Sequence, residues 1–111
     1  MRLPNADHAV VDIDKLRDYC LSKMHPRGRD KARVFEAALG LTVKDADVLR
    51  DFLLVAARSS DKAHPGKRDF RGQRFRLDLP VTWQGRYATV RSAWIVRSEE
   101  GFPRLTTCFV L

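Results

Sequence analysis

Two places in this chain collect side chains able to do chemistry. The first is His25-Pro26-Arg27-Gly28-Arg29-Asp30-Lys31-Ala32-Arg33, a basic Pro/Gly turn running into a helix. Its imidazole titrates near neutral pH and suits proton transfer. Arg27, Arg29 and Lys31, with the amides that open the helix, would hold an anion beside it. Lys31 and Arg33 stand two residues apart, about 200° around a helix axis. They diverge, so at most one of them shares a site with His25. The second place is the C-terminal region, where Arg91 follows Thr89, and Arg104 precedes Thr106, at strand spacing. Arginine forks and threonine hydroxyls grip phosphate oxygens. Arg97 extends that basic surface, and Tyr87 shares the Arg91 face as a stacking ring, whereas Trp94 falls on the opposite, core-facing side. Each reading has an ordinary counterpart. His25 can simply close a helix, Lys31 can line a solvated helix side, and the Arg/Thr rows can be the polar outside of a one-sided sheet.

Other chemistries lack their motifs. His8, His25 and His64 are far apart, Cys20 and Cys108 are isolated, and no HExxH or CxxC spacing occurs, so no metal site is expected. There is no P-loop, GxGxxG or GxSxG, and no cofactor is expected. Metal-free acid–base chemistry or pure binding remains.

The elements that must position these groups fit one domain, residues 1–111, since a chain of this length holds one core. An apolar share of 44% with 32% charged residues is that of a globular protein. No signal peptide or membrane span is legible, and the two isolated cysteines read as buried thiols of a cytoplasmic protein. Residues 1–57 carry ten Lys and Arg against nine Asp and Glu, while residues 58–111 carry eleven against five. Nine of those eleven are Arg, so nearly all of the net +7 and the pI near 10.0 comes from the C-terminal half. Such a balance favours a polyanion or an acidic protein as partner.

Residues 1–57 read as mainly helical. A first helix is expected over Ile13 to Met24, capped by Asp12 or Asp14. A second, capped by Asp30, buries Ala32, Phe35, Ala38 and Leu39 and stops at Gly40. A third follows a Thr42/Asp45 capping pair and runs to Ala57, with Val48, Leu49, Phe52, Leu53, Val55 and Ala56 on its apolar face. Residues 58–72 read as a basic loop. From Gln73 to residue 111 the period changes to two. A strand ends near Pro80, Gln84-Gly85 makes a hairpin turn, and a long strand spans Arg86 to Ser98. A last strand from Arg104 sets Leu105, Phe109 and Leu111 against Arg104, Thr106 and Cys108. The expected fold is α+β, with about three N-terminal helices packed on one face of an antiparallel sheet of three to four strands.

The Lys15-to-Leu21 helix (KLRDYCL), the stretch HPRGRDKARVFEAALG, Phe70-Arg71-Gly72-Gln73 and the ending TVRSAWIVRSEEGFPRLTTCFVL together resemble a known group. It is a family of short, uncharacterised bacterial domains related to C-terminal domains of polymorphic, contact-dependent toxins. The likeness spans Leu3 to Leu111 and marks His25, Gly28, Lys31 and Phe35, then Thr89, Trp94, Arg104 and Thr106 or Thr107. It departs at Cys20 and Phe70, where relatives often carry Leu and Tyr. Such toxin domains are placed in the barnase–EndoU–colicin–RelE ribonuclease-like group. The resemblance therefore implies a metal-independent ribonuclease-like toxin acting by 2′-OH transesterification on RNA, with an acidic antitoxin or immunity protein as partner. In that reading His25 moves the proton, Lys31, Arg91 and Arg104 stabilise the phosphorane, Thr89 or Thr106 positions it, and Arg27, Arg29, Arg33, Tyr87 and Arg97 bind nucleic acid. The alternative is a non-catalytic module that docks nucleic acid or an acidic protein through a basic sheet face.

Overall fold

A computed structural model describes residues 1–111. Helix α1, Ile13–Lys15, is capped by Asp12, whose carboxylate accepts the Asp14 N–H at 3.0 Å. It runs on as a wide π-helical turn, Leu16–Cys20, in which the Leu21 N–H donates to the Leu16 carbonyl at 2.8 Å. That turn buries both Leu16 and Cys20. The helix does not reach Met24, because the Ser22 hydroxyl accepts the Met24 N–H at 3.2 Å and turns the chain out of helical register.

Helix α2, Arg29–Leu39, buries Ala32, Phe35 and Leu39 and ends on Gly40 in the left-handed conformation (φ 71°). Asp30 is not its cap; it lies exposed within the first turn, and Gly28 holds the cap position. Thr42 and Asp45 do form the expected reciprocal box, with the Thr42 N–H on Asp45 Oδ2 at 3.0 Å. Helix α3, Ala46–Ser59, follows and buries Ala46, Leu49, Leu53 and Ala57, while Val55 lies exposed.

Strands β1 (His64–Asp69), β2 (Gly72–Trp83), β3 (Arg86–Arg97) and β4 (Pro103–Val110) form an antiparallel sheet in chain order. The expected loop over 58–72 therefore contains a strand. β1 is an exposed margin with a bulge between Pro65 and Arg68, so it needs no apolar residue and shows no alternation. Pro80 does not end β2 either. The Leu111 N–H donates to the Thr89 carbonyl at 2.9 Å, so the backbone of Thr89 faces β4 and not its partner Pro80. The backbone of Pro80 then points away from β3, toward an edge that β1, paired only as far as Arg76, leaves open. Gln84 (φ 48°) and Gly85 (φ 79°) make the tight turn between β2 and β3.

The faces of β3 follow the expected alternation. Val90, Ser92 and Trp94 meet the helices, and the Trp94 indole N–H donates to Ser92 Oγ at 2.8 Å. Ser92 in turn donates to the Leu77 carbonyl at 2.6 Å, which satisfies a polar pair at the centre of the core. β4 does not follow the expected split. Ala93 pairs with Thr107 and Trp94 with Leu105, which leaves Thr106 as an extra, bulged residue. Leu105 and Cys108 consequently both face the core, and Phe109 faces outward beside Arg91. Along the outer margin of β4, Val10 donates to the Pro103 carbonyl at 2.9 Å and accepts the Leu105 N–H at 3.0 Å.

Candidate active site

The bulge brings β4 against the turn between α1 and α2, and there the side chains of interest meet. Lys31 Nζ donates to Tyr19 Oη at 3.3 Å and to Thr107 Oγ1 at 3.5 Å. It also lies 5.2 Å from the Tyr19 ring centre and 5.3 Å from that of Phe109. Lys31 is half-buried and has no carboxylate partner. Two hydroxyls and two ring faces are weak substitutes for water around an ammonium, so the site favours an anion.

His25 stands edge-on to Tyr19, ring centres 4.8 Å apart. Its Nδ1 accepts the backbone N–H groups of Arg27 (3.0 Å) and Gly28 (3.1 Å), and its carbonyl accepts that of Arg29 at 2.9 Å. His25 thus ties the turn that Asp30 was expected to cap. With Nδ1 occupied as an acceptor, the neutral ring carries its proton on Nε2. It can donate a hydrogen bond there but is not a free base in that form. An open cleft of about 460 Å³ lies over these groups. Tyr19, His25, Arg27, Thr106 and Thr107 line it, together with Asp14, Lys15 and Asp18.

The other expected site residues lie around this cluster. Arg91 makes a bidentate pair with Asp78 (2.8 and 2.9 Å) on the outer sheet face. Arg104 contacts Glu100 at 3.0 and 3.2 Å. Both guanidiniums already hold carboxylates and neither lines the cleft, whose β4 side is formed by Thr106 and Thr107. Thr89 shares the Arg91 face, two residues along the strand, and Thr106 donates its hydroxyl to the Ala93 carbonyl at 3.0 Å. Arg29 is exposed at the start of α2, and Arg33 lies in solvent 3.7 Å from Asp30. Tyr87 is exposed beside the Gln84-Gly85 turn, and Arg97 reaches Glu100 at 3.3 Å at the other end of β3. Sequence reasoning missed Tyr19, Phe109 and the Asp14/Asp18 pair, and reached Thr107 only as an alternative to Thr106 through the resemblance. The i, i+4 spacing of the two aspartates was the available signal, and the bulge that aims Thr107 left none.

Beneath Lys31 the two buried thiols face one another. The Cys108 thiol hydrogen-bonds Cys20 and, against the opposing effect of burial, helps lower Cys20 to about 7; the Cys108 N–H, Thr107 and the Lys31 charge act in the same direction. Cys108 is pushed up by the same bond and by burial.

On the outer face, the hydrogen bond from Arg91 holds the Asp78 carboxyl below its usual range, against a smaller opposing effect of burial. A carboxyl with a lowered folded pKa stabilises above the unfolded value, near 4, and loses that contribution as pH falls. Asp78→Asn should therefore cost about 0.5 kcal/mol at pH 7, a solvent-screened value. Urea unfolding at neutral pH and near pH 3 checks this. The deficit should close on acidification, and an equal deficit at both pH values would rule out its ionic origin.

Three helices on one face of a four-stranded antiparallel meander, with a cation lodged between a helix and an edge strand, define a small basic α+β domain. The chain belongs to the family described as a domain of unknown function, DUF6883, whose model matches residues 2–111. No curated protein sequence matches it. Its fold is similar to that of a chain in a contact-dependent growth inhibition toxin–immunity protein complex from Klebsiella pneumoniae 342. The TM-score is 0.72, with 16% identity over 95% of each chain, a likeness of fold. No helix is long and apolar enough to cross a membrane.

Proposed function

We propose that this chain is an RNA-cleaving domain of the toxin type, acting by metal-independent transesterification, with an acidic immunity or antitoxin protein as its partner. The observation that carries the reading is Lys31: half-buried, without a carboxylate, and bonded to the hydroxyls of Tyr19 and Thr107, two residues that line an open cleft. The arginine-rich C-terminal half and the fold shared with a chain of a toxin–immunity complex support it.

In this reading the RNA phosphate sits against Lys31 and Thr107, and His25 donates to it from Nε2. The ribose 2′-OH gives its proton to a cleft carboxylate, Asp14 or Asp18, as its oxygen bonds to phosphorus. The bond from phosphorus to the 5′-oxygen breaks, and the leaving oxygen takes a proton from the Lys31 ammonium. A 2′,3′-cyclic phosphate results. Lys31 also neutralises charge that builds on the phosphorane.

The test is incubation of the purified protein with total RNA in EDTA over a range of pH, paired with growth after induction. Cleavage to cyclic-phosphate ends and growth arrest are expected; intact RNA at every pH with unimpaired growth would overturn the reading. A second reading, a binding module without turnover, is favoured by one observation, the engagement of His25 Nδ1 by two backbone N–H groups. It predicts salt-sensitive RNA binding with no cleavage.

A further inference from the structure

The outer sheet face ends in a second concavity that the cleft above does not use. It is an open pocket of about 430 Å³ between the hairpin turns at the β1/β2 and β3/β4 ends, walled in part by Phe70, Arg71, Arg74, Arg97 and Thr106. Phe70 is 85% exposed, and the Arg71 guanidinium carbon lies 5.4 Å from its ring centre. The fold makes no use of that ring. The β1/β2 turn is held by Asp69 Oδ1, which accepts the Arg71 N–H at 3.0 Å, and by Gly72, whose φ of 145° and tight approach to Val96 exclude a side chain.

Three guanidiniums share the pocket wall with the ring. Arg74 Nη1 lies 3.1 Å from Asp69 Oδ2, misaligned for a hydrogen bond, and Arg97 reaches Glu100 at 3.3 Å. Arg71 has no carboxylate partner. Glu99 is the one acid of the wall, and Ile95 its other apolar residue. Thr106 lines both this pocket and the cleft beside His25 and Thr107, so the two are neighbours across the β4 bulge.

We propose that this pocket is a nucleotide subsite for single-stranded RNA, next to the one in the cleft, in which a base stacks on Phe70 and Arg71 and Arg97 meet its phosphate. The proposal rests on the RNA reading of the cleft and adds where the neighbouring nucleotide goes. A flat aromatic face flanked by guanidiniums matches a base with its phosphate, whatever the base. A protein side chain used as an anchor would call for an apolar pocket, which this wall does not supply.

The test is fluorescence anisotropy with a labelled oligodeoxyuridylate of about ten nucleotides, which lacks the 2′-OH and cannot be cleaved by this route. The protein should bind it. Phe70→Ala should weaken binding about tenfold, and Phe70→Trp should preserve it. Arg71→Ala should lower the slope of log affinity against log salt by about 0.7, one phosphate contact on a single strand. Phe70 and Arg71 are exposed, and circular dichroism confirms that the variants fold. RNA cleavage is assayed separately. Phe70-dependent binding without cleavage supports the subsite and removes the catalytic reading. Cleavage with Phe70→Ala binding as tightly as wild type overturns the subsite and leaves the catalytic reading standing. Failure to bind the oligonucleotide, with binding of an acidic polypeptide instead, also overturns it.

Discussion

Lys31→Ala should lower single-turnover RNA cleavage by about 10²- to 10³-fold while the protein stays folded. The ammonium lies between α2 and β4 on the hydroxyls of Tyr19 and Thr107, which line the cleft, and no partner carboxylate is stranded by its removal. Truncation therefore takes away stabilisation of the phosphorane without leaving a buried, uncompensated charge. Lys31→Arg separates its two proposed duties. A guanidinium keeps the charge but gives up a proton far less readily than an ammonium. It should restore RNA affinity and leave cleavage about tenfold or more below wild type. A loss of less than about threefold in Lys31→Ala would remove Lys31 from the chemistry.

Gly28→Ala should destabilise the fold by about 3 kcal/mol, read as a shift in the urea midpoint. The reason is space and not backbone freedom, since Gly28 has an ordinary helical conformation (φ −90°, ψ −19°). A Cβ there would lie 2.2 Å from the Tyr19 carbonyl oxygen and 3.0 Å from its carbon. Both are backbone atoms that cannot swing aside, so α2 must part from the π-helical turn. Tyr19 and the His25 turn would move with it, and the cleft would be lost along with the stability. Gly85→Ala is the control. Nothing lies within 4 Å of its Cβ, and only its φ of 79° opposes a side chain, at a cost of about 1 kcal/mol. A Gly28→Ala penalty no larger than that of Gly85→Ala would show that α2 and the preceding turn are loosely joined.

Much of this architecture is legible because it rests on local signals. Gly40, the Thr42/Asp45 box and Gln84-Gly85 each satisfy a backbone requirement with their own side chain or lack of one, so the ends of α2, α3 and the β2/β3 hairpin can be read from a few residues. The alternation of β3, with Trp94 inward, is equally local. What could not be read depends on partners distant in sequence. β1 is a strand only because β2 lies beside it. Pro80 is tolerated in β2 because of how Thr89 turns its backbone toward Leu111. The candidate site is legible in part for the same reason. His25 and Lys31 stand out by type and spacing, but Thr107 reaches Lys31 only because the extra residue at Thr106 shifts the face of β4. Arg91 and Arg104 attracted notice by charge, and their carboxylates come from a neighbouring strand and a neighbouring turn.

The margins of the sheet bear on how this basic, 111-residue chain behaves when crowded. Unpaired strand edges are templates on which copies of a protein polymerise. Here each open stretch is blunted by a different device. β1 carries Pro65, a bulge, Lys67 and Arg68. The free end of β2 presents Pro80, which offers an incoming strand no donor. The outer margin of β4 is taken in part by Val10. A foreign strand finds no uninterrupted ladder at any of the three, which disfavours amyloid-like growth.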